Sequence, residues 1–230
     1  MAFSRLLGLS SASRACRRLS HACIHTCHAI QRRGDEPGRR GIRLTDVCHE
    51  LWINGGFLRL GDTVCDATCG NGHDTAFLAQ AIGPTGRLVA IDIQQAAIDA
   101  TAARIKEVVP DEDQRPKIDY VLGSHGDIQQ HVGSNVASLI CFNTGYLPNS
   151  DKTVKTEIDS TILALEGSLE ALCEGGLVSM LCYTGHSGGM EEYEAVREFA
   201  SGLSSAHWKT SEFRLLNSPS APIMVLIWKR

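Results

Sequence analysis

Residues 63–78, TVCDATCGNGHDTAFL, set a short apolar run, a glycine-bearing turn and the start of a helix side by side. A second apolar run, RLVAID, ends in Asp92, twenty residues after Gly72. A buried strand that turns through glycine into a helix, followed by a strand closing on an acid, is how an α/β sheet holds a nucleoside-bearing ligand. No other stretch of the chain restricts the fold as strongly.

The rest of the sequence continues the alternation. Apolar runs at 63–66, 88–92, 118–122, 137–142 and 177–183 read as strands. Helical patterns lie near 73–82, 95–107, 125–132, 156–173 and 190–203, and an earlier one at 44–52 has Thr45 as a candidate N-cap. Strands separated by helices predict a parallel sheet covered on both faces, and all-apolar runs such as SLICF fit strands buried on both sides. The end breaks the pattern. Two strands, 207–216 and 223–228, are joined only by NSPSAP, too short for a crossover helix, so this pair is antiparallel. An α/β doubly wound, mostly parallel sheet finished by an antiparallel hairpin strand resembles the class I methyltransferase (Rossmann-like) fold.

The turn itself distinguishes between ligands. Gly70 and Gly72 let a ligand approach the backbone closely. A dinucleotide fingerprint needs a third glycine three residues after the second, and Thr75 stands there. A pyrophosphate also favours a helix N-terminus without negative charge nearby, whereas this loop carries Asp66 before the turn and Asp74 after it. Two carboxylates suit a cation. The pattern D-x-T-x-G-x-G resembles the first motif of enzymes that use S-adenosyl-L-methionine, whose sulfonium and ammonium are cationic. Candidate cofactor residues in this loop are Asp66, Gly70, Asn71, Gly72, His73, Asp74 and Thr75.

Further along, Asp92 can accept hydrogen bonds from both ribose hydroxyls, with Gln94 beside it, or it can cap the helix that follows. Ser124 and His125 end the third strand on the expected adenine side; the plainer reading is a capping Ser beside a surface His. The fourth strand delivers Asn143 and then Gly145-Tyr146-Leu147-Pro148. A side-chain amide there can orient an amine, and Tyr146 can pack against a flat substrate. Tyr183 and His186 follow the fifth strand; His186 is a candidate base, because imidazole titrates near neutrality. The catalytic candidates are thus Asn143, Tyr146, Tyr183 and His186.

Charge is unevenly spread. The first 40 residues hold eight Arg, no Lys and only Asp35 and Glu36, which leaves 14 basic against 24 acidic residues in the remainder, a net of −10. An Arg- and Ser-rich, acid-poor start has the composition of an organelle transit peptide, so residues 1–41 read as transit peptide and linker, and 42–230 as the catalytic domain. Import into a mitochondrion or chloroplast is expected. No 18-residue apolar run is present, so no membrane association is expected. The nine Cys contain no CxxC pair, which argues against a disulfide framework or a metal site. Cys65, Cys141 and Cys182 read as small buried apolar residues. The cluster His21, Cys23, His25, Cys27 and His28 falls in the segment expected to be removed.

The segments DATCGNGHDTAFLA, AIDIQQAAI, GSH, FNTGYLPNSDKTVKTE and YTGHSGGMEE occur in this order in a small family first labelled putative rRNA methylase. That family is associated with tRNA 5-aminomethyl-2-thiouridine methyltransferase activity, and the resemblance spans residues 43–230. It implies methyl transfer from S-adenosyl-L-methionine to the amine of a wobble 5-aminomethyl-uridine in tRNA. It also implies that Asn71, Asp74, Asp92, Gln94, Ser124 and His125 contact the cofactor, and that Asn143, Tyr146 and Tyr183 face the substrate. The chain departs from the family at Thr144, where Leu is usual, and at Asn149-Ser150, where Gly-Gly is usual. Both departures are expected on the substrate side.

The acidic domain gives no support for RNA from bulk charge, so any tRNA surface must be local. Lys152, Lys155, Arg197, Lys209 and Arg214 are the candidates. Two other readings stand beside the first: a methyltransferase of the same fold acting on rRNA or a small amine, and a non-catalytic cofactor- or RNA-binding protein. A homodimer is compatible with the sequence, which does not set the oligomeric state.

Overall fold

The computed structural model describes residues 43–144, 158–218 and 220–230. Tyr146, Asn149, Ser150, Lys152, Lys155 and the proposed transit segment lie outside these residues.

Among the described residues seven strands form one sheet: β1 (Thr63–Asp66), β2 (Arg87–Asp92), β3 (Lys117–Leu122), β4 (Ala137–Thr144), β5 (Leu172–Cys182), β6 (Trp208–Phe213) and β7 (Ile223–Lys229). Their order across the sheet is β3-β2-β1-β4-β5-β7-β6. The first five are parallel, and β7 runs antiparallel between β5 and β6. The sheet is therefore the doubly wound, Rossmann-like one expected. Its order reverses at β1 and β4, and that reversal opens a crevice at the carboxyl ends of the two strands, the place where α/β sheets bind ligands.

Among the described residues six α-helices accompany it: α1 (Leu44–Asn54), α2 (His73–Ile82), α3 (Gln95–Val108), α4 (Ile128–Val132), α5 (Ile158–Ala171) and α6 (Gly189–Gly202). Residues of α1, α2 and α3 share one apolar core with Val64, Leu88, Leu139 and Leu177 of the sheet. Those of α4, α5 and α6 share the other with Cys65, Val89, Ile140 and Val178. Neighbouring strand residues thus face opposite cores, which is why the central strands read as unbroken apolar runs. Cys65, Cys141 and Cys182 are fully buried, and burial pushes all three thiols up. Among the described residues no helix is long and apolar enough to cross a membrane.

Three local expectations are corrected. Thr45 is not the N-cap of α1: Arg43 holds that position in extended geometry, and its guanidinium pairs with Asp46 at 2.9 Å. The helical pattern at 125–132 is two pieces, a single 3-10 turn (His125–Asp127) and then α4. The fifth strand starts at Leu172, directly after α5, and not at 177. Gly175, at φ 76°, allows the irregularity by which Ala137 pairs with Leu172 and Leu139 with Leu177.

Candidate functional site

The loop after β1 is bound to both neighbouring strands. Ala67 N–H donates to Cys141 O on β4 and Cys69 N–H to Ile91 O on β2, each at 2.9 Å. Gly70 adopts φ 49° and Gly72 φ 75°, backbone that side-chain-bearing residues rarely take. At Gly72 a Cβ would also lie 2.8 Å from Thr101 Cα, so the turn is pressed onto α3. From α3, Thr101 Oγ1 donates to Gly70 O at 3.1 Å and Arg104 Nε to Asn71 O at 2.6 Å. Neither Thr101 nor Arg104 is marked by the sequence; they lie some 30 residues beyond the turn and only the packing of α3 brings them back.

Asp92 closes this arrangement. Its Oδ2 accepts from Gly70 N–H and its Oδ1 from Gln94 N–H, both at 3.0 Å. The carboxylate therefore holds the turn and starts α3, with Gln94 at the N-cap position. Each carboxylate oxygen has a second acceptor site, which two hydroxyls of a ribose could use. Beside Asp92, Ile93 is 50% exposed, and Leu122 at the end of β3 is 54% exposed. Two apolar side chains left open at adjacent strand ends offer walls for a flat ring. Sequence reasoning misses them because nothing in an apolar strand marks which residue ends uncovered.

Asp66 is buried at the end of β1. Thr75 Oγ1 donates to its Oδ2 at 2.5 Å and Thr68 N–H to its Oδ1 at 3.2 Å. Thr75, standing where a dinucleotide fingerprint has glycine, thus holds the acid in place. Burial, followed by the negative charge of Asp74, raises the Asp66 carboxyl from the ordinary 3.8 to about 7. A cation in the crevice would relieve both effects, so this pair of acids fits a positively charged ligand. His73, in the first turn of α2, is exposed.

Ser124 takes the plainer role: its Oγ accepts from Gly126 N–H at 3.1 Å and caps the 3-10 turn. His125 is not at the surface. It is buried, meets Phe142 of β4 edge-on with ring centroids 5.9 Å apart, and burial holds its imidazole below the usual range.

On the other side of the crevice, Asn143 belongs to β4 itself. Its backbone N–H donates to Thr68 Oγ1 at 2.7 Å and its Nδ2 to Asp74 Oδ2 at 3.3 Å. Asp74 Oδ1 meets His49 Nε2 of α1 at 2.7 Å. His49 carries no sequence signal of this role, since α1 precedes the glycine turn and its contact is 25 residues distant. Tyr183 follows β5; burial, then the charge of Asp74, hold its hydroxyl proton more tightly than usual. Asp66, Asp74, Thr75, Asp92 and Asn143 are therefore brought into one bonded region, with Tyr183 at its edge.

His186 lies beyond Tyr183 in the loop between β5 and α6. Its Nδ1 lies 3.1 Å from Ser187 O, and its charge bears on Glu192. Glu192, in the first turn of α6, is buried and accepts from Thr161 Oγ1 of α5 at 2.7 Å. Burial pushes its carboxyl up, against hydrogen bonds from Thr161 and Thr144. Thr144 is 1% exposed and its hydroxyl lies 3.2 Å from Leu181 O. This departure from the family pattern faces the joint of β4 and β5 and not the substrate side, because a hydroxyl can be satisfied there where Leu would simply pack. Of the basic candidates, Arg197 and Arg214 both pair with Glu212, which also accepts from Tyr193 at 2.6 Å; Lys209 is exposed on β6.

The chain is similar to known proteins in sequence and fold. The family model described as putative rRNA methylase matches residues 88–229, and a methyltransferase-domain model matches 58–110. The chloroplastic tRNA (mnm(5)s(2)U34)-methyltransferase of Arabidopsis thaliana is 37% identical over 194 residues, covering 82% of this chain and 70% of that protein. Among solved structures, a putative rRNA-methylase from Clostridium thermocellum superposes with a TM-score of 0.75 at 33% identity, covering 84% of this chain and 100% of the other. A putative methyltransferase from Streptococcus mutans, solved in complex with SAH, gives a TM-score of 0.71 at 27% identity over 83% and 99% of the two chains.

Proposed function

The chain belongs to the putative rRNA methylase family and is an S-adenosyl-L-methionine-dependent methyltransferase, and from that premise we propose that it methylates the primary amine of a 5-aminomethyl-(2-thio)uridine at the wobble position of tRNA. The product is the 5-methylaminomethyl nucleoside. One observation carries the assignment to an amine. The Asn143 amide donates its NH2 to the Asp74 carboxylate, which leaves Oδ1 as an acceptor at the crevice between β1 and β4. An acceptor there can hold an N–H of the incoming amine and aim its lone pair. The name of the 37% identical plant relative supports a wobble uridine as the acceptor.

When bound, S-adenosyl-L-methionine supplies a methyl group on a sulfonium, so the protein need only position a neutral amine. Asp92, with Gln94 beside it, would hold the ribose hydroxyls. Ser124 and His125 would bound the adenine side. Asp66 and Asp74 would face the cationic end, within the loop of Gly70, Asn71, Gly72, His73 and Thr75. Tyr183, with Tyr146, would bound the substrate. The ammonium proton goes to solvent or to His186. The pH–rate profile of His186→Ala distinguishes these: an unchanged rate and profile assigns the proton to solvent.

The Arg-rich start and the chloroplastic relative support import into an organelle. Residues 1–40 fused to a fluorescent protein would give organellar fluorescence; a diffuse cytosolic signal would end that reading. For the reaction, the test is nucleoside mass spectrometry of tRNA incubated with recombinant protein and S-adenosyl-L-methionine. The 5-aminomethyl nucleosides should convert to their methylaminomethyl forms, and no conversion would remove the proposal. A second reading, in which the acceptor is rRNA or a small amine, draws on the acidic domain and on the pairing of Arg197 and Arg214 with Glu212. Methylation of rRNA or a free amine in place of tRNA in the same assay would establish it.

A further inference from the structure

We infer that His49, on the helix preceding the whole cofactor motif, is a positioning residue that sets the orientation of the Asn143 amide through Asp74. The inference rests on the reading of Asn143 as the amine acceptor given above. Three contacts hold the imidazole. It stacks on Phe77 with centroids 3.8 Å apart and planes 9° from parallel, it lies 5.0 Å from the Trp52 ring, and its Nε2 is 2.7 Å from Asp74 Oδ1. Because a carboxylate only accepts, Nε2 carries the hydrogen. Among the described residues Nδ1 is buried with no hydrogen-bond partner, so the bond to Asp74 is the polar contact that fixes the ring.

His49 therefore occupies one carboxylate oxygen of Asp74 and stops the group from turning. The other, Oδ2, faces Asn143 Nδ2 at 3.3 Å. An amide presents NH2, not oxygen, to a carboxylate, so Oδ1 of Asn143 is directed away from Asp74. The main chain of Asn143 is held independently by Thr68 Oγ1. His49 thus acts on the side chain alone. Without its bond, Asp74 can rotate and the amide can flip, which would present a donor to the substrate N–H in place of an acceptor.

The test compares His49→Phe, which keeps the stacking ring and removes the bond, with His49→Gln, which retains a donor. Turnover is measured at saturating cofactor and tRNA, with cofactor Kd, tRNA KM and Tm alongside. His49→Phe should lower kcat about 10- to 100-fold while Kd and KM stay within about threefold, and His49→Gln should recover most of the loss. In an Asn143→Ala background, His49→Phe should cost little more, because both changes remove one function. Unchanged kcat in His49→Phe overturns the inference. So does an equal loss in the Asn143→Ala background, or a loss matched by a rise in cofactor Kd. Should His49→Phe not fold, the 15N shifts of the wild-type imidazole decide: the Nε2–H tautomer is expected, and the Nδ1–H tautomer refutes the bond as drawn. Absence of wild-type turnover on 5-aminomethyl tRNA would instead remove the substrate reading, and the tautomer would still report on His49.

Discussion

The two sides of the crevice are held by different kinds of bond. On the cofactor side, carboxylates bind mostly backbone, Asp92 at Gly70 N–H and Gln94 N–H and Asp66 at Thr68 N–H, and the one bond between side chains described there, Thr75 to Asp66, stays within the same loop. On the acceptor side, side chains hold side chains from distant elements: His49 with Asp74, and Asp74 with Asn143. A backbone-held site depends on turn geometry and keeps its shape when neighbours change. A side-chain network depends on each member, and losing one leaves the next without restraint. The cofactor side should therefore lose affinity when altered, and the acceptor side should lose rate.

The largest expected effect follows from that contrast. Asn143→Ala removes the only part of the residue that differs from a plain strand position, since its backbone bond to Thr68 remains. Single-turnover methylation at saturating cofactor should slow by about 10²- to 10³-fold, the usual range for a lost positioning or polarising group. Cofactor Kd should stay within about threefold. A large rise in Kd with unchanged turnover would reverse the division between the two sides.

Asp92→Ala should do the opposite. Loss of a charged acceptor of several hydrogen bonds costs about 1.5–3 kcal/mol, or roughly 10- to 100-fold in cofactor Kd. Turnover at saturating cofactor should be kept to within a few-fold. Equilibrium binding measured by calorimetry checks the first part and saturation kinetics the second. Loss of kcat at full saturation would mean that Asp92 also sets the cofactor's reacting end.

The same difference explains what could be read from the sequence. Residues 63–92 are legible because the strand, Gly70, Gly72 and Asp92 occur at the spacing that the bond between Asp92 and Gly70 requires. The sheet class was legible for a related reason, since NSPSAP cannot house a crossover and β7 had to run antiparallel. His49 was not legible, because its bond depends on how α1 lies against α2. Thr144 misled, because β4 extends to Thr144 and turns that side chain into the joint with β5. Nothing in GGMEE marks Glu192 for burial, yet it is 3% exposed, since the start of α6 is folded under α5.

Protonation sharpens the account of the cofactor side. Asp66 titrates near 7 because burial and Asp74 disfavour its charge, and a bound cation should restore the ordinary carboxylate behaviour. Binding then releases a proton below pH 7, so cofactor affinity should weaken by about tenfold from pH 8 to pH 6. Asp66→Asn should flatten that dependence. For stability the sign is also defined. The folded carboxyl keeps a proton that the unfolded chain has lost above about pH 4, so the cofactor-free protein loses stability as pH rises from about 4 towards 7. Asp66→Asn should accordingly stabilise the cofactor-free protein at pH 8 by about 1–3 kcal/mol while weakening its hold on the cofactor. Denaturant melts at pH 5 and pH 8 measure this. A wild-type protein more stable at pH 8 than at pH 5 through this residue would contradict the raised pKa.

The smallest effect concerns whether the acceptor side continues outward onto β6. Glu212 is shared by Arg197 and Arg214, which mutes two of the described cations proposed to meet phosphate. Hydrogen bonds from Tyr193 and Arg214 keep the Glu212 carboxyl below its usual range, so it stays ionised under any ordinary assay condition. Glu212→Gln removes the compensating charge without removing either guanidinium. If this face meets the tRNA backbone, affinity at low salt should rise about two- to threefold, and the gain should vanish near 0.5 M salt, where such charges are screened. Lys209→Ala should produce a loss of similar size with the same salt dependence. Filter binding of tRNA across a salt series measures both. Affinities equal to wild type at every salt concentration would confine the acceptor side to the crevice and require the tRNA to approach from another face.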